Sequence, residues 1–119
     1  MDLGIKGKTA IVCAASRGLG RACAHALADA GVNLIINSGT QVNLDKTAAE
    51  LKEKGIEVTA VAGDISTHDI QDALIEAAGD VDILVNNNGG PPLKDFRQLD
   101  REAIKTGVEQ NMITPIVMI

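Results

Sequence analysis

The sequence predicts an α/β chain, a parallel sheet covered by helices, and three observations carry that prediction. Strand and helix patterns alternate through the 119 residues without repeat, low-complexity tract or linker. The apolar residues are almost all Ala, Val, Ile and Leu, with Phe96 the single aromatic, a palette that suits strands buried on both faces. The first apolar run, Thr9 to Val12, leads through small residues into the turn Ser16-Arg17-Gly18-Leu19-Gly20. A buried parallel strand presents its C-terminal end to a bound group in this way.

The elements follow in order. Ala10, Ile11 and Val12 form the first strand, and a helix runs from about Gly18 to Ala30. Leu19, Cys23, Ala26 or Leu27, and Ala30 share one face at helical spacing, and Gly31 ends the helix in a left-handed conformation. The second strand is Asn33 to Asn37. The second helix spans Asn43, its expected cap, to Lys54, with Leu44, Ala48 and Leu51 inward, Glu50 paired to Lys54, and Gly55 closing it. The third strand is Glu57 to Ala62. Ser66 with Asp69 reads as a capping box for a third helix whose inner stripe is Ile70, Ala73, Leu74 and Ala77 before Gly79. The fourth strand is Asp82 to Asn86, and Gly89-Gly90-Pro91-Pro92-Leu93 reads as a stiff turn after it.

Successive strand-helix-strand units must cross right-handed, which gives a sheet of order 3-2-1-4, half of a Rossmann-like doubly wound fold. Its crevice lies between strands 1 and 4. The glycine turn and the run Asn86-Asn87-Asn88-Gly89 meet there. Gly18 and Gly20 let the backbone approach a phosphate, and the helix they open aims free N–H groups at the anion. Alone, such a glycine pair fits a turn that merely needs tight packing. The three asparagines have a structural reading too: their amides can satisfy loose backbone groups, which is compatible with lining a groove.

At 119 residues the chain holds one core and hardly two, so residues 1–119 read as a single partial domain. The net charge of −5 and pI near 4.8 argue against nucleic acid or an anionic membrane as the main partner. Cys13 and Cys23 lie within a strand and a helix, and Asp2, Lys6 and Lys8 interrupt the amino terminus. The expected location is therefore the reducing cytoplasm. His25 and His68 sit in or beside helices, away from the strand ends, and form no metal cluster in the pattern. No metal is expected.

Together these residues resemble the short-chain dehydrogenase/reductase family, over the whole chain. Cys13-Ala14-Ala15-Ser16-Arg17-Gly18-Leu19-Gly20 is similar to its Thr-Gly-x-x-x-Gly-x-Gly turn, Gly63-Asp64-Ile65 to its adenine-contacting Asp, and Asn86-Asn87-Asn88-Gly89 to its Asn-Asn-Ala-Gly motif. The resemblance implies a dinucleotide held by Ala14, Ser16, Arg17, Gly18, Leu19, Gly20, Ser38, Asp64, Ile65, Asn87, Asn88 and Gly89. It also implies that Asn111, in a fifth helix, supports a proton relay through a backbone-held water. Two positions depart from the pattern. Ala14 replaces a glycine, which matters if the backbone there needs positive φ and is tolerated if φ is negative. Asn88 replaces an alanine.

The second strand is followed by Asn37, Ser38, Gly39 and Thr40, with no acid to hold ribose hydroxyls or repel a 2′-phosphate. Arg17 can pair with that phosphate, although a solvated surface charge is its plain alternative and Gly39 stands where the family has a second basic residue. NADP(H) is therefore expected over NAD(H). Hydride transfer to a carbonyl or from an alcohol is the implied reaction, with 3-oxoacyl-carrier-protein reduction the leading expectation for substrate. The family's relay of Ser and Tyr-x-x-x-Lys is not in these residues, which contain no tyrosine. The chain, ending inside the fifth helix, is expected to be inactive alone. A second reading is a non-catalytic nucleotide-binding or self-associating module, because the fifth helix exposes Val108, Met112, Ile113 and Ile116 to Ile119. A homo-oligomer is expected on either reading, and Pro115 is expected to kink that helix.

Overall fold

A computed structural model describes residues 1–90 and 93–119. Pro91 and Pro92, part of the expected stiff turn, lie outside the described residues. The chain runs β1 (Thr9–Val12), α1 (Gly18–Asp29), β2 (Asn33–Ser38), α2 (Gln41–Lys52), β3 (Val58–Ala62), α3 (His68–Ala78) and β4 (Ile83–Val85). A 3-10 turn (Phe96–Gln98), α4 (Arg101–Val108), a π-helical stretch (Glu109–Ile113) and α5 (Thr114–Met118) follow. The strands form one parallel sheet of order β3-β2-β1-β4, the Rossmann-like arrangement, with Ile11 opposite both Ile35 and Leu84.

Side chains on successive residues of a strand point to opposite faces, and the core divides accordingly. Ala10 and Val12 of β1 join Leu34 and Ile36 of β2 beneath Ala24 and Ala28 of α1 and Leu44, Ala48 and Leu51 of α2. Ile11 and Cys13 join Ile35 on the other face, with Ile65, Leu74 of α3 and Met118 of α5. Each face is thus closed by helices that the intervening crossovers deliver.

Several local expectations change. Gly20, Ala24 and Ala28, spaced by four, are the buried line of α1, whereas Leu19 is 80% exposed. Small residues on that line let α1 lie close to the sheet, and Leu27 packs against the core where Ala26 does not. The second helix starts at Gln41 after Thr40, so Asn43 sits inside its first turn and does not cap it. Glu50 pairs with Arg21 of α1, and Lys54 with Asp29, so cross-helix partners displace the expected Glu50–Lys54 pair.

No capping box forms at α3. Thr67 occupies the cap position, and both the amide and the hydroxyl of Ser66 donate to Asp64 at 2.9 and 2.7 Å. Ala77 is exposed, and Gln71 is buried in its stead, donating to the Ile65 carbonyl at 2.9 Å. Where a kink is expected at Pro115, the helix instead widens ahead of it and runs on into α5. Proline has no N–H, and its ring clashes with the carbonyl four residues earlier, so the π-helical stretch absorbs the conflict.

Candidate functional site

A cleft of about 570 Å³ opens over the C-terminal ends of β1 and β4. The turn after β1 is its floor and is staked on both sides. The Cys13 amide donates to the Val85 carbonyl at 3.2 Å, and the Ala15 amide to the Asn37 carbonyl at 2.8 Å. Between them Ala14 takes a φ of 51°, the one non-glycine residue with positive φ among the described residues. An L-residue there costs about 1–2 kcal/mol, so the departure at Ala14 is of the strained kind.

The two turn glycines answer different needs. Gly18 has a φ of 58° and open space around it, so its backbone conformation alone favours glycine. A Cβ on Gly20 would lie 2.1 Å from the Ala14 carbonyl oxygen and 2.8 Å from the Asn87 Nδ2, an overlap with backbone that cannot give way. Arg17 occupies the N-cap of α1 with extended backbone and no side-chain hydrogen bond across the cap, and no acid lies in the first turn. The leading N–H groups of α1 are left for an anion at the cleft. Arg17 itself is exposed and makes no ion pair among the described residues.

Ser16 is the junction of the site. It accepts from the Ser38 hydroxyl at 2.7 Å, and its carbonyl accepts from Thr47 at 3.5 Å, tying the glycine turn to β2 and α2. Asn37, buried at 2% exposure, donates from its amide to the Val61 and Gly63 carbonyls at 3.0 and 3.1 Å and closes the β2–β3 end of the cleft. The three asparagines after β4 all donate to backbone carbonyls: Asn86 to Pro115 (3.0 Å), Asn87 to Cys13 (3.5 Å), Asn88 to Gln110 (3.0 Å). Asn87 and Asn88 also line the cleft, so the structural and the groove-lining readings hold together.

Of the expected site residues, Ala14, Ser16, Arg17, Gly18, Leu19, Ser38, Asp64, Ile65, Asn87, Asn88 and Gly89 line one cleft. Gly20 lies behind it as the close-packing position. Asn111 is not among the lining residues. Its amide donates to the Gly107 carbonyl at 3.1 Å, and it borders an apolar groove with Leu99, Ile104 and Met112. Gln110, one residue earlier, reaches the cleft. Asn37, Gly39, Thr40, Asn43 and Gly63 also line it, beyond the residues expected to hold the dinucleotide. Asn43, expected as a cap, faces the cleft from the first turn of α2 instead.

The remaining reactive groups stand apart. Burial pushes the Cys13 thiol above its usual range, which keeps it protonated and unreactive. His25 lies between α1 and α2, its Nε2 3.4 Å from Glu50. Among the described residues no group of three or more His, Cys, Asp or Glu is placed to hold a metal, and no helix is long and apolar enough to cross a membrane.

A parallel sheet of this order, with a glycine turn, an open helix N-terminus and a cleft at the switch between β1 and β4, defines a dinucleotide-binding protein. The family is specific. The short chain dehydrogenase model matches residues 8–119, and the chain belongs to that family. It is 41% identical over 92 residues to dehydrogenase/reductase SDR family member 4 of Caenorhabditis elegans, covering 73% of this chain and 35% of the relative. It is 33% identical over 112 residues to L-xylulose reductase of Mesocricetus auratus, covering 94% and 44%. The crystal structure of Gluconobacter frateurii L-sorbose reductase, complexed with NADPH and L-sorbose, superimposes with a TM-score of 0.93 at 32% identity, over 99% of this chain and 47% of that one. The chain thus spans less than half the length of each of these proteins.

Proposed function

We propose that these residues form the dinucleotide-binding part of an oxidoreductase that interconverts a small-molecule carbonyl and its alcohol with NADP(H). The observation that carries this is the cleft itself, where the Gly18–Gly20 turn, the uncapped start of α1 and Asn87 converge. The bound nicotinamide would supply the hydride chemistry. The chain's residues would do the holding. Gly18, Leu19 and the leading amides of α1 would take the diphosphate, with Ala14 and Gly20 setting how closely the backbone approaches it. Asp64 and Ile65 would border the adenine, and Asn88 and Gly89 the nicotinamide end.

NADP(H) is preferred in this reading because β2 ends in Asn37-Ser38-Gly39-Thr40 without an acid, while Arg17 stands unpaired at the rim. The L-sorbose reductase with the same fold is complexed with NADPH, which supports the reading. The substrate class follows the relatives' names, a ketose such as xylulose or sorbose, and neither of those names points to a 3-oxoacyl thioester. Asn111 is proposed as a positioning residue. The π-helical stretch it occupies loosens the backbone pairing, as such stretches often do at functional sites.

With no tyrosine available, these 119 residues are proposed to bind cofactor without turning it over. The second reading, a self-associating module, is favoured by the exposed apolar groove of Leu99, Ile104, Val108 and Met112, and a homo-oligomer is proposed on that ground. Titration with NADPH and NADH tests the main reading. NADPH should bind at least about tenfold more tightly, the worth of one charge-assisted contact. Equal affinity for the two would overturn it.

A further inference from the structure

The cleft does not end at Arg17. A second depression of about 260 Å³ continues from it, sharing Ser16, Arg17 and Asn43 and running on to Arg21, Lys46 and Glu50. Its charges are unequally committed. Arg21 is neutralised by its ion pair with Glu50, whereas Arg17 and Lys46 make no ion pair among the described residues. Two uncommitted cations therefore face one depression whose single carboxylate, Glu50, is taken up by Arg21.

Lys46 reaches this place by helical spacing. Asn43, Lys46 and Thr47 lie at i, i+3 and i+4 on one face of α2. Thr47 donates to the Ser16 carbonyl, and Ser38 donates to the Ser16 hydroxyl, so α2 and the glycine turn are held in fixed relation. The start of α2 is also uncapped by any side chain. A phosphate monoester carries a charge of about −1.5 to −2 at neutral pH, which one exposed arginine does not balance.

We propose that Lys46 on α2, with Asn43 beside it, is a specificity-determining residue that joins Arg17 in holding the ribose 2′-phosphate. It supplies a second cation on the same depression as Arg17. This rests on the NADP(H) reading above and extends it to a residue outside the glycine turn and outside the end of β2.

Calorimetric titration of the full chain with adenosine 2′,5′-bisphosphate and with adenosine 5′-monophosphate tests it, comparing wild type, Lys46→Gln and Lys52→Gln. Lys46 and Lys52 are both exposed on α2, and Lys52 lies in its last turn, outside the depression. Lys46→Gln should weaken the bisphosphate by about tenfold, as loss of one solvent-accessible charged contact does, and leave the monophosphate unchanged. Lys52→Gln should change neither. A bisphosphate affinity unaltered in Lys46→Gln, an equal loss for both nucleotides, or an equal loss in Lys52→Gln overturns the assignment while leaving the NADP(H) reading standing. A wild type that binds the two nucleotides equally overturns that reading, and the assignment with it.

Discussion

The centre of the sheet and its β4 edge are finished to different degrees. In β1 and β2, side chains such as Val12, Leu34 and Ile36 are fully enclosed between the sheet and α1 and α2. Beyond β1 on the other side, every residue of β4 is only half-buried. In the helical segment after it only Thr114 and Met118 are buried, while Ile116 and Ile119 are 60% and 92% exposed. The cleft loops are anchored on both sides of β1, through Asn37 and Ser38 on one and Val85 and Asn87 on the other. The difference teaches that the packed centre, which fixes the floor of the cleft, and the edge that leaves apolar side chains exposed are separate parts of the structure.

Core truncation should break the comparison most sharply. Leu34→Ala in β2 empties a site with no solvent access and should cost about 3 kcal/mol, whereas Leu84→Ala in half-buried β4 should cost about half as much. Urea unfolding of both variants measures this, and equal losses would contradict the division. Gly20→Ala comes next, at about 2 kcal/mol, because its methyl meets the Ala14 carbonyl. That variant should also lose NADPH binding, read by the same titration. Ala14→Gly should act in the opposite sense, relieving the left-handed strain for a gain of about 0.5–1 kcal/mol once the added freedom of the unfolded chain is deducted.

Smaller effects sharpen the other side. Ile116→Lys should leave unfolding within about 0.5 kcal/mol of wild type, as an exposed position does, yet reduce any concentration-dependent sedimentation. A large loss of stability would mean that the residue is packed. Glu50 tests the α1–α2 contact. The hydrogen bond and charge of Arg21 hold its carboxyl below the ordinary carboxylate range, with His25 contributing less. Its stabilising contribution is present above the unfolded carboxylate pKa and fades as pH falls through the lowered folded value. Glu50→Gln should therefore be less stable than wild type at neutral pH and converge with it in acid, measured by thermal unfolding across pH.

Much of this was legible in the sequence, because apolar runs of Val, Ile and Leu set apart by glycine-ended helical patterns leave few ways to order a parallel sheet. The glycine turn, Asp64 and the asparagine run converged on one cleft for that reason. What the sequence hid were choices between neighbours of similar chemistry. Glu50 had both Lys54 and Arg21 within reach, and only the packing of α1 on α2 decides for Arg21. Asn111 and Gln110 stand side by side in the π-helical stretch, and only the structure shows that Gln110 is the one at the cleft. The positive φ at Ala14 goes with a close approach of its carbonyl to Gly20, which leaves no room for a Cβ there and which spacing alone does not reveal.

The paired stakes on either side of Ala14 have a consequence for motion. Cys13 and Ala15 give their amides to opposite neighbours in the sheet, so the turn cannot peel away without parting β1 from both β4 and β2. Hydrogen exchange at these two amides should track unfolding of the whole sheet, and solvent should reach them last. The binding loop would then be as durable as the fold, and saturating nucleotide would slow exchange there and at the sheet centre by the same factor.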